Sequence, residues 1–116
     1  MIRRSGTLEG HSGTDGTVRI MVDRIIAQFD PLQVILFGSR ARGTAGPGSD
    51  VDLLVVLSDV RDRRRTTIEI RRALGDLPVS KDIVVTTPRE IEQRGRLVGS
   101  ILLPALEEGK VLYERT

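Results

Sequence analysis

What most limits the folds open to this chain is the stretch from Val34 to Leu57. Two short apolar runs are joined there by a glycine-rich link, and the second run is entered through two aspartates. Val34 to Phe37 is too short for a helix and is bounded by Gly38, which suits a strand covered on both faces. Gly38-Ser39 then puts a small hydroxyl residue at a strand-to-helix turn, where the free N–H groups of a helix start can hold an anion. Beyond the link, Asp50 and Asp52 are two apart on the next strand, so both side chains project from one face. Leu54 and Val56 follow on that face, while Val51, Leu53, Val55 and Leu57 line the other. One end of the stretch is shaped for phosphate and the other for a cation.

Carboxylates beside a phosphate site suit Mg²⁺, which takes oxygen ligands from one or two acids and from substrate phosphates. A third acid is expected from a neighbouring strand, and Asp82 in the run Val79 to Val85 supplies it, placed like Asp50 where its strand begins. If the strands pair side by side, Asp50, Asp52 and Asp82 converge. Two such charges about 4 Å apart would repel by roughly 4 kcal/mol at an effective dielectric near 20. Cation binding is the usual reason a fold keeps them together, and two hard cations could polarise a transferring phosphoryl group. A Walker-type phosphate loop is excluded, because Thr44 stands where its lysine is required.

Gly38-Ser39, ten intervening residues, then Asp50-Val51-Asp52 between apolar runs resembles the signature of the DNA polymerase beta-type nucleotidyltransferase superfamily. The wider string Gly-Ser-Arg-Ala-Arg-Gly followed by Ser-Asp-Val-Asp-Leu-Leu-Val is similar to its smallest branch, the minimal nucleotidyltransferases, over residues 18 to 115. The resemblance implies an α/β (α+β) fold, a small mixed β-sheet with helices packed against it. It also implies that Gly38 and Ser39 contact nucleotide phosphates, that Asp50 and Asp52 bind metal, and that Asp82 completes the metal site and deprotonates the acceptor. Arg42, three residues after Ser39 on the same face of a short helix, is the expected arm to the triphosphate. The reaction implied is Mg²⁺-dependent transfer of AMP from ATP to a hydroxyl, with two metal ions. The partner implied is a HEPN-type ribonuclease toxin in a hetero-oligomer, modified on a tyrosine, which makes the chain an antitoxin. Two alternatives stand beside it. One is a binding module that neutralises its partner without catalysis; the other is transfer to a small molecule such as an aminoglycoside, which would require a homodimer to complete the pocket.

The rest of the chain is consistent with a single small domain. Its 116 residues suffice to bury roughly two-thirds of the unfolded surface. Residues 1–16 are polar and are expected to be a disordered lead-in to a nucleotidyltransferase domain at 17–116; His11 lies in the lead-in and has no expected role. Cysteine is absent, which excludes disulfides and thiolate metal sites. No apolar run reaches the length of a membrane span or signal core, so the expectation is no membrane and a cytoplasmic location. Aromatic residues make up 3%, too few for a base-stacking platform, and direct nucleic-acid binding is not expected. Val18, Met21, Val22, Ile25, Ile26 and Phe29 repeat at helical spacing up to Asp30-Pro31. A second helix is expected over 59–76, with Ile68, Ile70 and Leu74 as its apolar positions and a basic first half, Arg61 to Arg65. Thr87, Pro88 and Glu90 read as a helix start. The apolar pattern from Ile91 runs on to Leu106, with Pro104 inside it as a kink or a fresh start, and Lys110 to Tyr113 reads as a final strand.

Overall fold

The computed structural model describes residues 16–43, 50–94 and 107–115. The lead-in with His11, the link at 44–49 and the segment 95–106, with its expected kink at Pro104, lie outside the described residues. Helix α1 (Gly16–Phe29) forms where the apolar spacing predicts, and it buries Val18, Met21, Val22 and Ile25 completely. It ends at Asp30, whose φ of 49° is a left-handed conformation that aspartate tolerates. The following Pro31 has no N–H with which to continue the helix.

Seven further elements follow: β1 (Gln33–Phe37), the single turn α2 (Ser39–Arg42), β2 (Val51–Val56), α3 (Arg63–Ala73), β3 (Lys81–Thr86), α4 (Pro88–Arg94) and β4 (Lys110–Glu114). The four strands make one sheet in the order β3-β2-β1-β4. β1 runs antiparallel to both β2 and β4, whereas β2 and β3 are parallel. The expected small mixed sheet is therefore what forms. Parallel strands cannot be joined by a tight turn, and α3 makes the crossover between β2 and β3.

Strand alternation divides the core between the two faces. On one face Val34, Leu36, Val51, Leu53, Val55, Ile83 and Val85 pack with α1, with Ile70 of α3 and with Leu74, which caps the end of α3. Ile35, Phe37, Leu54 and Val56 form a smaller cluster on the other, joined by Val84 and by Ile91 of α4. Each fully buried aliphatic side chain contributes roughly 1.5–3 kcal/mol relative to exposure, so α3 is held mainly by Ile70 and Leu74.

The expectation for α3 needs two corrections. The helix starts at Arg63 rather than 59, because the Asp62 side chain accepts a hydrogen bond from the Arg65 N–H at 3.1 Å and caps the first turn. Ile68 is 44% exposed and not part of the core. It lies two residues from Ile70, about 200° around the helix, so the two cannot share a buried face. At α4 the predicted start is observed, with the Glu90 N–H donating to the Thr87 hydroxyl at 3.2 Å. The Glu90 carboxylate accepts from the buried Thr86 hydroxyl at 3.0 Å and pairs with Arg63, tying α4 to the start of α3.

A second tie joins α1 to the end of α3. Arg24 donates to the carbonyl of Ala73 at 2.9 Å and to the Asp76 carboxylate at 2.5 and 3.2 Å. That hydrogen bond from Arg24 holds the Asp76 carboxyl below its usual range. A depressed carboxyl stabilises the fold fully above its unfolded value, near 4, and the contribution is lost as pH falls through the lower folded value. Asp76→Asn should accordingly melt below the wild type at pH 6. The gap between the two should close as pH is lowered below about 4, as thermal melts across that range would show.

Candidate active site

The site grows from the register of three strands. Phe37 of β1 is the Cα partner of Asp52, and Asp52 is the Cα partner of Asp82 in the parallel β2–β3 pair. Directly paired residues share a face, so Phe37, Asp52 and Asp82 form one row across the sheet. The next row, Ile35, Leu54 and Val84, belongs to the smaller apolar cluster, which puts an apolar floor behind the acids. Asp52 is partly exposed and Asp82 exposed.

Asp50 is placed differently from the sequence expectation. The strand opens at Val51, whose N–H donates to the carbonyl of Ser80 at 2.9 Å, and Asp50 stands one residue ahead of it, exposed. The register also sets Asp82 opposite Asp52, not opposite Asp50. Among the described residues no three His, Cys, Asp or Glu side chains are grouped as a metal-binding set. What the sheet brings together is a pair, Asp52 and Asp82, with Asp50 at the mouth of the strand.

Gly38 joins this pair from the end of β1. Its backbone has φ 75° and ψ −158°, a region that side chains other than hydrogen rarely enter, and it leads into α2. A Cβ added there would lie 2.2 Å from Asp52 Oδ2, so the carboxylate occupies the space that the missing side chain leaves. Ser39 opens α2 and is partly exposed beside it. Ala41 packs into the larger core, and Gly43 ends the turn in a left-handed conformation, at φ 77° and ψ 13°. The backbone of Arg42 closes α2, while its side chain lies outside the described residues.

One contact had no signal in the sequence. Arg71, in the last turn of α3, places Nη2 3.4 Å from Asp82 Oδ1, with both side chains about half exposed. A helix on a parallel crossover runs back along the sheet, so its last turn meets the first residues of the next strand. Two surface grooves, of about 420 and 340 Å³, lie elsewhere. The first is lined by residues of α1 and α3, the second by α3 and its cap Asp62, and neither includes an acid of the site.

A mixed four-stranded sheet that brings a glycine-serine turn against a carboxylate, with a second acid in the adjoining strand, defines the class of nucleotidyltransferase palm domains. The chain belongs to the nucleotidyltransferase domain family, whose pattern matches residues 18–107. It is 31% identical over 94 residues to a provisionally named protein adenylyltransferase of Methanocaldococcus jannaschii, a match spanning 74% of this chain and 60% of that protein. The chain thus covers about three-fifths of that relative's length. A provisionally assigned nucleotidyltransferase from Sulfolobus solfataricus shares the fold with a TM-score of 0.60 at 21% identity, over 92% of this chain and 91% of that one. Two structures of toxin–antitoxin complexes also share it, each over 84% of this chain and 73% of theirs. One, with AMP-PNP, has a TM-score of 0.52 at 22% identity; the other, a mutant of the pair MntA–HpeT, has 0.54 at 20%. Among the described residues no helix is long and apolar enough to cross a membrane.

Proposed function

We propose that this chain transfers AMP from ATP to a hydroxyl group of a partner protein. The observation that carries the reading is the row that places Asp52 beside Asp82, with the Asp52 carboxylate seated against Gly38 at the entrance to the Ser39 turn. In the reaction the acceptor oxygen attacks the α-phosphorus, the bond from that phosphorus to the bridging oxygen of the β-phosphate breaks, and pyrophosphate leaves. Asp82, exposed at the start of β3, takes the hydroxyl proton. Gly38 and Ser39 hold the outer phosphates, with Arg42 as the added arm.

Mg²⁺ fits the donor set. Two carboxylates side by side on one face supply hard oxygen ligands, and substrate phosphates complete a coordination sphere that one or two protein acids commonly begin. Asp52 and Asp82 would hold the ion, and Asp50, just ahead of the strand, would contribute to a second. When bound, the metal would polarise the transferring phosphoryl group.

The acceptor we assign is a tyrosine of a HEPN-type ribonuclease toxin, whose modification silences it, with this chain acting as the antitoxin in a cytoplasmic hetero-oligomer. Support comes from the adenylyltransferase name of the archaeal relative and from the toxin–antitoxin and AMP-PNP complexes among the proteins of like fold. The test is to incubate the purified chain with ATP, Mg²⁺ and the protein encoded beside it, then weigh that protein intact. Addition of one or more AMP groups is the expected result. A partner bound tightly but unmodified would replace the enzyme by a neutralising binder, and adenylylation of an aminoglycoside instead would make the acceptor a small molecule.

A further inference from the structure

We propose that Arg71 is an internal counter-cation of the acidic pair, holding Asp82 in the metal-free protein and giving way when a divalent cation binds. The inference rests on the reading of Asp52 and Asp82 as a cation site and adds a residue that competes with the ion. Paired residues of neighbouring strands stand about 4.8 Å apart at the backbone, and like charges set directly opposite destabilise a sheet. The register imposes that arrangement on Asp52 and Asp82. Without a bound ion, Asp82 needs positive charge from the chain itself.

Arg71 supplies it. Its guanidinium lies 3.4 Å from Asp82 Oδ1, and α3 presents it from the last turn, where the negative end of the helix favours a cation. The neighbouring Arg72 shares that helix-end advantage yet has no carboxylate partner among the described residues and lines both outer grooves instead. The helix end alone therefore does not account for the contact with Asp82. Both partners of the Arg71–Asp82 contact are half exposed, at 48% and 54%. An ion pair so exposed is weak, which is what a removable counter-charge requires. A divalent cation offers Asp82 twice the charge at closer range, and the freed guanidinium moves into solvent at little cost.

The experiment is Mg²⁺ titration of the nucleotide-free full chain by calorimetry and by thermal melting, for the wild type, Arg71→Met and Arg71→Lys. Methionine keeps most of the apolar stem and removes the charge, so Arg71→Met should bind Mg²⁺ about two- to five-fold more tightly. The same variant should melt lower without the ion. Arg71→Lys restores a cation and should return the affinity to near the wild-type value. In an Asp82→Asn background, replacing Arg71 by Met should change neither quantity. Equal or weaker Mg²⁺ binding by Arg71→Met, beside a wild type that does bind, overturns the counter-cation and leaves the metal site standing. Equal tightening in the Met and Lys variants overturns it too, since packing rather than charge would then be responsible. A wild type that binds no Mg²⁺ removes the metal site and this inference together.

Discussion

Gly38→Ala should give a folded protein whose transfer rate is reduced about 100-fold. Two costs coincide at this position. The backbone conformation, φ 75° with ψ −158°, is one that alanine enters only with strain of about 1–3 kcal/mol. The new Cβ would also lie 2.2 Å from Asp52 Oδ2 and 3.1 Å from its Cγ. Since Oδ2 is the tip of a side chain, the carboxylate yields by rotating, and the fold survives with its acid displaced. A displacement near 1 Å in a catalytic group can cost about two orders of magnitude. Gly43→Ala is the matched control. It meets a left-handed φ of 77° with nothing within 4 Å of the added carbon, so it should lose stability by about 1 kcal/mol and keep its rate. Melting curves and initial rates of the two variants decide the matter. Equal rates would mean that the approach of Gly38 to Asp52 has no part in catalysis.

Asp52→Asn should move stability and activity in opposite directions. Asparagine keeps the shape and one oxygen acceptor but removes a negative charge from the row it shares with Asp82. Relief of that repulsion at a partly exposed site should stabilise the metal-free protein by about 1 kcal/mol, which for a domain of this size raises the melting temperature by roughly 4 °C. Stabilisation by Mg²⁺ should disappear, and transfer should fall about 1,000-fold, corresponding to roughly 4 kcal/mol of lost transition-state stabilisation. Asp50→Asn should act in the same sense but more weakly, because Asp50 is exposed ahead of the strand and is not paired with Asp82. An Asp52→Asn protein that melts lower without metal and still responds fully to Mg²⁺ would show Asp52 to be a structural residue.

Much of this molecule could be read along the chain because the forces concerned act between near neighbours. Strand alternation assigned Asp52, Leu54 and Val56 to one face of β2 and Val51, Leu53 and Val55 to the other, as observed. Helical spacing marked the buried stripe of α1, Asp30-Pro31 its end, and Thr87 the start of α4. The Gly38-Ser39 turn was legible because a strand followed at once by a helix leaves few residues able to make the bend. Counting apolar residues without fixing their angle around the helix misplaced Ile68, and the position of Asp82 at a strand start does not by itself say which acid of β2 it faces.

The pairing of Asp52 with Asp82 joins positions thirty residues apart, and no local preference encodes it. It follows from how α3 packs Ile70 and Leu74 under the sheet and so sets the height at which β3 lies beside β2. The same packing delivers Arg71 to Asp82, and the antiparallel β1–β2 register brings Gly38 against the Asp52 carboxylate. Periods of 2 and 3.6 residues fix which way a side chain faces, and they were sufficient for the elements. The alignment of those elements along the sheet depends on burial shared between distant segments, so the chemistry of the site was settled by the assembled fold.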